Sequence, residues 1–263
     1  MAKKQKTLAQ QVETHTDSAL ETSGNTLQEK VEKIQTKPKN YVVDLRIHSP
    51  ASLGYLGIEG IDTAPALVRL AKVKGLDVIA VTDYYSGDFI DRMSEASRTS
   101  TLTVIPGVTL RCKVDVCDDL TLLALFPEDF GTQGVNSFLR TLGIPAGVAG
   151  NKNYIVERPF EEILEAIERY NGRPLPSRMD KTPSRQAVIP LLVEKYGFRA
   201  FDLAYADSVQ YFKKNWPKIK FQLFSFSNAN ALAQVGSRIA KIKMTDPGFI
   251  GLREIIARAG QAL

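Results

Sequence analysis

Histidine is scarce in this sequence, since 263 residues contain only His15 and His48. Hydrolytic metal centres are usually built from several neutral imidazoles together with carboxylates, which hold the cations and activate a bound water. Two histidines, one of them close to the amino terminus, nearly exclude a metal cluster built from imidazoles.

Cysteine is equally rare, and both cysteines lie in the segment CKVDVCDD as Cys112 and Cys117. Their spacing fits no standard zinc knuckle. No apolar run approaches the ~20 residues that are needed to cross a bilayer, and the start MAKKQKTLAQQ lacks the apolar segment of a secretory signal. We therefore expect a cytoplasmic protein with reduced thiols and no membrane contact.

The sequence does carry an excess of positive charge, with a formal net charge of +5. This balance permits binding to phosphates or to nucleic acid, but it identifies neither partner. We find no basic stripe interleaved with aromatic residues and no known nucleic-acid module. Nucleic acid therefore stays an open partner class that no motif supports.

Residues 1–40 contain no aromatic side chain and are rich in Lys, Gln, Glu and Thr, which predicts a disordered polar and basic tail. Over residues 41–263, short apolar strands alternate with amphipathic helices, a pattern typical of parallel βαβ units. About seven strand–helix units fit this stretch, and no interdomain linker interrupts it. The pattern predicts a single α/β domain that forms a closed or nearly closed barrel.

Functional side chains of α/β barrels lie at the C-terminal ends of the strands. The first strand, YVVDLRIH, places Arg46 and His48 on one side, because residues two apart on a strand face the same way. The candidate binding residues at the predicted strand ends are Arg46, His48, Asp83, Tyr84, Thr109, Arg111, Arg178, Asn228 and Asn230.

Five segments resemble the polymerase and histidinol phosphatase (PHP) family in order and spacing: DLRIHSPAS, GLDVIAVTDYY, VIPGVTL, LPSRMDK and FSNANAL. The resemblance covers about residues 41–258. It implies a distorted seven-stranded (β/α)7 barrel, the fold of metal-dependent phosphoesterases and nucleases. The order and the strand context of the segments carry the resemblance as much as the identities do.

The metal-ligand positions of that family hold other residue types in this sequence at all places but one. The family's first motif is Asp-x-His-x-His, and here Arg46 stands between the matching Asp44 and His48. The other ligand positions hold Tyr84 after Thr82-Asp83, Thr109 after Pro106-Gly107, Arg178 after Ser177, and Asn228 with Asn230. Only His48 keeps the residue type of a ligand.

These replacements predict no metal site and no cofactor, because one imidazole, a threonine and two amides do not hold a cluster of dications. The favoured interpretation is a PHP-like binding or regulatory module, a pseudoenzyme that takes a phosphate-containing small molecule. One alternative is an active phosphoesterase or nuclease with a reduced site, which would use His48, Asp83 and a divalent metal. Another alternative is a structural or assembly subunit that contacts its protein partner through the tail.

The two arginines at ligand positions have two interpretations. Arg46 and Arg178 either form salt bridges with Asp44, Asp83 or Asp180, or they replace the metal charge and bind a phosphate or carboxylate. Because arginine stays charged, two guanidinium groups in one pocket need an anion from the protein or from a ligand. The sequence does not decide between these sources.

Overall fold

The computed structural model describes residues 37–260. Residues 1–36 of the predicted tail, and residues 261–263, lie outside the described residues. Within the described part, the first strand begins at Lys39, slightly before the predicted end of the tail. No helix among residues 37–260 is long and apolar enough to span a bilayer.

The described residues form eight strands and eight α-helices. The strands are β1 (Lys39–Ile47), β2 (Val78–Val81), β3 (Thr103–Val114), β4 (Cys117–Leu125), β5 (Arg173–Ser177), β6 (Ala200–Asp202), β7 (Gln222–Phe224) and β8 (Ala240–Met244). The helices are α1 (Thr63–Val73), α2 (Ile90–Ser97), α3 (Gly131–Thr141), α4 (Phe160–Arg169), α5 (Pro183–Ala187), α6 (Ile189–Glu194), α7 (Val209–Asn215) and α8 (Phe249–Ile255).

All eight strands belong to one sheet with the order β7-β6-β5-β4-β3-β2-β1-β8. Strand β4 is antiparallel to both of its neighbours, and β8 is antiparallel to β1, whereas the other pairings are parallel. Six strands, β1, β2, β3, β5, β6 and β7, therefore point the same way. Their C-terminal ends meet at one rim, which is where the sequence places the candidate residues.

The sheet curls around a single apolar cluster to which every strand contributes. Its strand members are Tyr41, Val43, Leu45, Val78, Ala80, Ile105, Leu123, Leu125, Leu175, Ala200, Phe224, Ile242 and Met244. A flat sheet could not bring side chains from its first and last strands into one cluster, so the sheet is a nearly closed barrel. Phe249 and Leu252 of α8 pack against the same cluster.

The predicted α/β barrel is thus confirmed, and it differs in detail from seven strand–helix units. No helix separates β3 from β4, because the chain turns directly at Asp115, whose φ of 49° is left-handed. The two strands pair as a hairpin, with Val114 opposite Cys117. Both cysteines are buried and free.

The helices follow the apolar periodicity of the sequence. In α1 the buried residues include Ala64, Leu67, Val68 and Ala71, which recur at helical spacing. The Asp62 carboxylate caps this helix by accepting a hydrogen bond from the amide of Ala64. Pro190 lies in the first turn of α6, and α5 and α6 are separate short helices.

A β-bulge in β1 aims the first candidate residue. Asp44 pairs with Ile79 and Ile47 with Val81, so β1 has one residue more than β2 over this interval. Leu45 lies in the barrel interior, and the Arg46 side chain reaches residues of β5 and β6. The bulge thus turns a guanidinium group toward the inside of the barrel rim.

Candidate functional site

A cleft of about 320 Å³ opens at the rim formed by the strand ends. Its lining combines side chains from the barrel strands with side chains from the loops that follow them. The lining residues are Arg46, Tyr84, Arg111, Thr121, Lys152, Asn153, Arg178, Lys181, Arg185 and Asn228. Six of these residues are arginines or lysines, and none is a carboxylate, so the cleft is cationic.

The floor of the cleft is Arg46, which is only 2% exposed. Its Nη1 donates a hydrogen bond to Ser177 Oγ at 2.9 Å and lies 3.8 Å from Asp202 Oδ2. Its Nη2 is 3.5 Å from the Tyr84 hydroxyl. Burial lowers the pKa of Arg46 from its usual range, Tyr84 and Asp202 raise it, and the nearby Arg178 lowers it. A guanidinium remains charged under these influences, because its unperturbed pKa is above 12.

Asp202 is the carboxylate that partly balances Arg46. It is 1% exposed and accepts hydrogen bonds from the Ser177 hydroxyl and from the amide of Phe226. Burial raises the pKa of Asp202, whereas Arg46 works in the opposite direction. The predicted alternative partners of Arg46 were Asp44, Asp83 and Asp180, so the sequence missed the partner that the structure provides.

Those other carboxylates have their own partners. Asp44 accepts hydrogen bonds from the amides of Ser227 and Gly236 on the side away from the cleft. Strict alternation would place Asp44 on the same side as Arg46, and the bulge between Asp44 and Ile47 separates the two side chains. Burial raises its pKa to about 6. Asp180 accepts hydrogen bonds from two backbone amides and from the Ser208 hydroxyl.

Arg178 lies next to this pair but makes no hydrogen bond or ion pair through its side chain with any residue of the 37–260 range. It follows β5 directly, and its φ is 53°, a left-handed conformation that non-glycine residues adopt at a cost of roughly 1–2 kcal/mol. Backbone strain of this kind is often stored at functional sites. The strained residue here directs an unpaired guanidinium at the cleft.

A second group of cations surrounds Asp119. The carboxylate of Asp119 accepts hydrogen bonds from Arg111 at 2.9 Å and from Arg185 at 2.8 Å. Burial opposes ionisation, but Arg185 and Arg111 together hold the pKa of Asp119 below its usual value. Arg111 also donates to the backbone carbonyl of Lys152, which fixes the 143–158 loop at the edge of the cleft.

The strand register shows how the two cation groups relate. A row of paired residues crosses four neighbouring strands, and its members in order are Arg111, Thr121, Ser177 and Asp202. Strands in a sheet are ~4.8 Å apart. Arg111 and Ser177, the hydrogen-bond partner of Arg46, are therefore separated by two strand spacings, about 10 Å along the sheet.

The cleft keeps an excess of positive charge. Its six lining cations are balanced, within residues 37–260, by the two carboxylates Asp119 and Asp202. In addition, the Nε atoms of Arg46 and Arg111 are buried without a hydrogen-bond partner in the same range. Buried donors without partners are costly, so these atoms are suited to an anion that the protein itself does not supply.

Tyr84 forms the wall beside Arg46, and His48, which does not line the cleft, packs against Tyr84. Their rings stack with centroids 5.0 Å apart and planes 9° apart. His48 is 1% exposed, and its Nδ1 is 3.4 Å from the Ser52 hydroxyl. Burial lowers the pKa of His48 to about 3, and the Arg46 charge adds to this effect, although Asn228 and the backbone of Thr82 oppose it. The imidazole is therefore neutral at physiological pH.

Asp83 stabilises the loop after β1 through hydrogen bonds. Its two oxygens accept hydrogen bonds from the Ser49 amide, the Ser49 hydroxyl and the Ser52 hydroxyl. Burial raises its pKa, and the serine donors lower it. Asp83 does not line the cleft. Its geometry is that of a residue that fixes the backbone from Ser49 to Ser52.

The remaining predicted residues divide between the cleft and its surroundings. Asn228 lines the cleft and has a left-handed φ of 52°. Thr109 is fully buried, donates a hydrogen bond to the carbonyl of Thr82, and does not line the cleft. Asn230 also lies outside the lining, and its backbone bonds to Leu56 and to the Gln234 side chain.

The structure adds cleft residues that sequence reasoning missed: Thr121, Lys152, Asn153, Lys181 and Arg185. Lys181 and Arg185 follow the strand that carries Arg178 and could have been proposed from that proximity. Lys152 had no such signal, because only the fold brings its loop to the strand ends. Several hydrogen bonds hold the loop there, including those from the Gly150 amide to the Tyr84 carbonyl, from the Val156 amide to the Arg111 carbonyl and from the Tyr85 hydroxyl to the Tyr154 carbonyl.

The side chains at the rim do not fit a metal cluster. Among residues 37–260, no three His, Cys, Asp or Glu side chains are arranged to hold a metal ion. His48 and Asp83 are the nearest to a ligand set, but the oxygens of Asp83 are used by Ser49 and Ser52. Arg46 also places a fixed positive charge beside His48.

Another cavity of the protein is larger but differs in character. It measures about 630 Å³ and lies between α7 and β7, with aromatic and aliphatic walls that include Phe212, Trp216 and Phe221. None of the predicted site residues lines it. The cationic cleft is therefore the better candidate for the site at the strand ends.

Comparisons with known proteins agree with this fold. No protein-family model matches the sequence. The lesion-specific endonuclease PfuEndoQ of Pyrococcus furiosus superimposes with a TM-score of 0.60 and 17% identity, over 83% of this chain and 56% of that one. A two-domain protein of Bacteroides vulgatus, described as containing a predicted PHP-like metal-dependent phosphoesterase, gives a TM-score of 0.55 and 13% identity, over 83% and 63%.

One sequence relative extends the comparison. Error-prone DNA polymerase 2 of Agrobacterium fabrum is 28% identical over 144 residues, which are 55% of this chain and 12% of the polymerase. The chain thus spans less than two thirds of each of these three proteins. The structural likeness confirms the resemblance seen in the sequence at the level of architecture: the chain has the fold of PHP-like phosphoesterases.

Proposed function

We propose that this PHP-like protein binds a phosphate-containing ligand in the cationic cleft and acts as a binding or regulatory module. The observation that carries the proposal is the buried Arg46 at the floor of a cleft whose six cations meet only two carboxylates within residues 37–260. Guanidinium groups bind phosphate through paired, charge-assisted hydrogen bonds.

Arg178 favours a ligand over a purely structural role for the arginines. Its side chain has no ion pair with the described residues, and its backbone is strained. An arginine that served only to neutralise an internal carboxylate would contact one. A strained, unpaired cation in a cleft fits a ligand from outside.

The donor set argues against metal-dependent hydrolysis, the activity named for the PHP-like phosphoesterase among the structural neighbours. Arg46 and Tyr84 stand at positions where the PHP family has ligand histidines, and Asp83 is bonded to two serines. A reduced active site would have to use the buried His48, whose neutral ring faces a guanidinium. We therefore propose that this protein has lost the metal-dependent activity and needs no cofactor.

Two alternative hypotheses concern the partner of this protein. The named functions of the endonuclease and the polymerase favour nucleic acid as an alternative source of the phosphate. The other alternative is an assembly subunit that contacts a protein through residues 1–40. A cytoplasmic location belongs to the same proposal. Neither alternative accounts for the unpaired cations of the cleft as directly as a phosphate ligand does.

The test is thermal unfolding with increasing inorganic phosphate at constant ionic strength. Wild type is expected to be stabilised by phosphate, because a ligand that binds only the folded state raises its stability. The shift is expected to disappear in the double variant Arg178→Gln, Lys181→Gln. A matched control is Lys241→Gln, Lys243→Gln, which removes two exposed lysines of β8 outside the cleft. No shift in wild type, or equal shifts in all three proteins, would refute the proposal.

A further inference from the structure

We infer that the ligand of the cleft is an oligophosphate, a chain of at least two linked phosphates, and that a single phosphate group fills only part of the site. This inference rests on the proposed function and specifies the chemical class of the ligand. It follows from how the cations are distributed, how they are balanced, and how large the cleft is.

The cations form two groups, each with its own carboxylate. The inner group is Arg46 with Arg178, beside Asp202. The outer group is Arg111, Arg185, Lys152 and Lys181, with Asp119 as its carboxylate. Each group keeps more cations than carboxylates, so each is expected to attract an anionic group of its own.

The two groups are anchored on different strands of the sheet. The sheet register places Arg111 two strands away from Ser177, the hydrogen-bond partner of Arg46, which is about 10 Å along the sheet. The buried Nε atom without a partner occurs in both groups, on Arg46 and on Arg111. A phosphate group reaches its donors through hydrogen bonds of ~3 Å, so two sets of donors anchored two strands apart suit two linked phosphates better than one.

Charge leads to the same conclusion. Six lining cations and two carboxylates leave the cleft, within residues 37–260, with a net charge of +4. A phosphate monoester supplies about −1.5 to −2 at pH 7, which is about half of what the cleft needs. Each further phosphate in a chain adds negative charge along the direction in which the cations lie.

The volume of the cleft sets an upper limit on the size of the ligand. At about 320 Å³ it lies at the lower end of the range of small-molecule clefts, roughly 300–1,000 Å³. The lining is cationic and offers only one aromatic ring, that of Tyr84. The cleft therefore suits the phosphate chain of a ligand, and any organic group attached to the chain would lie toward the open side.

Isothermal titration calorimetry with inorganic phosphate, pyrophosphate and tripolyphosphate tests the inference on the full-length protein, with chelator present and ionic strength held constant. Affinity is expected to rise about tenfold or more with each added phosphate, because every phosphate gains further charge-assisted contacts. The rise is expected to weaken at high salt, as screening requires.

Substitutions in the inner and in the outer group of cations test the contribution of each group to binding. Arg178→Gln in the inner group is expected to weaken all three anions about tenfold or more. Lys152→Gln, Lys181→Gln in the outer group is expected to weaken pyrophosphate and tripolyphosphate while leaving inorganic phosphate within about twofold of wild type. Lys241→Gln, Lys243→Gln is the matched control and is expected to bind all three anions as wild type does.

These titrations separate a failure of the oligophosphate inference from a failure of the proposed phosphate binding. Equal affinity for inorganic phosphate and tripolyphosphate would overturn the oligophosphate class and leave phosphate binding intact. Binding of none of the three anions would overturn the proposed function itself. A single-stranded oligothymidylate that binds more tightly than tripolyphosphate, with the same dependence on Lys152 and Lys181, would overturn the oligophosphate in favour of a phosphodiester chain.

Discussion

Arg46 and Asp202 form an ion pair in the interior of the barrel rim, with Nη1 and Oδ2 3.8 Å apart and both side chains almost fully buried. The Ser177 hydroxyl lies between them, accepting from the guanidinium and donating to the carboxylate. The pair holds the arginine at the floor of the cleft but leaves its Nε without a partner in the described chain. One carboxylate thus positions a cation without using all of its donors.

Removal of the Asp202 charge tests this relationship. Asp202→Asn leaves a buried arginine without its counter-ion, which typically costs roughly 3–5 kcal/mol. We expect a loss of unfolding free energy of that size in chemical denaturation. Phosphate should stabilise this variant more than wild type, because the anion replaces the missing charge.

Asp119→Asn is the control, since its ion pairs with Arg111 and Arg185 are partly exposed. Exposed pairs contribute at most about 1 kcal/mol, so this variant should lose much less stability. If the two substitutions cost the same, the buried pair does not have the role assigned to it.

Arg178→Gly separates stability from binding. Glycine adopts a left-handed φ without the Cβ penalty, although it adds entropy to the unfolded chain. We expect no loss of unfolding free energy and a gain of up to about 1 kcal/mol, together with an anion affinity at least tenfold lower. Arg178→Lys keeps the charge and the strain and should retain most of the affinity. A glycine variant that is clearly destabilised, or that binds like wild type, would contradict this.

The ring of His48 should stay neutral far below the usual histidine pKa. Burial and the Arg46 charge lower its pKa to about 3. In NMR titration its ring signals should not move between pH 8 and about 4.5, well above that value. His15→Gln identifies the signal, because the sequence holds no other histidine. A midpoint near 6.5 for His48 would show that the ring is neither buried nor close to Arg46.

The lowered pKa of His48 also makes the unfolding free energy depend on pH. Since the pKa of His48 is lower in the folded state than its ordinary 6.5, the folded protein binds fewer protons between these values. The contribution of the neutral His48 ring to the unfolding free energy is complete above pH 6.5. It is lost as the pH falls toward 3, and the total loss is about 5 kcal/mol. The unfolding free energy of His48→Asn should fall less steeply with acid than that of wild type in this window.

Strand alternation and the barrel architecture were sufficient to predict Arg46, Tyr84, Arg111, Arg178 and Asn228 at one site. These residues belong to strands or to the segments after them, so the sequence places them at the rim, whereas the direction of the Arg46 side chain depends on a bulge. The bulge between Asp44 and Ile47 was not predicted, because it depends on the pairing of β1 with β2.

The partners of the arginines could not be predicted in the same way. Asp202 reaches Arg46 only because β6 pairs with β5, and Asp119 reaches Arg185 only because α5 packs on the β3–β4 hairpin. Lys152 joins the cleft through a loop held by backbone hydrogen bonds. Long-range contacts of this kind leave no local pattern in the sequence.

Metal content tests the proposed loss of hydrolysis. Purified protein is expected to hold no stoichiometric zinc, manganese or iron, and to leave a generic phosphodiester intact when Mn²⁺ or Zn²⁺ is added, because the ligand positions hold Arg46, Tyr84 and Thr109. Any trace of hydrolysis should persist in His48→Asn and Asp83→Asn, as expected for a contaminant. Stoichiometric metal, with hydrolysis that both substitutions abolish, would establish the reduced active site instead.

The central claim is tested most directly by a crystal structure of the protein grown with pyrophosphate and without divalent metal. The account predicts one phosphate within about 2.7–2.9 Å of the guanidinium groups of Arg46 and Arg178, the distance of charge-assisted hydrogen bonds, and the second phosphate toward Arg111. An empty cleft at saturating pyrophosphate, or pyrophosphate bound only elsewhere, would contradict it.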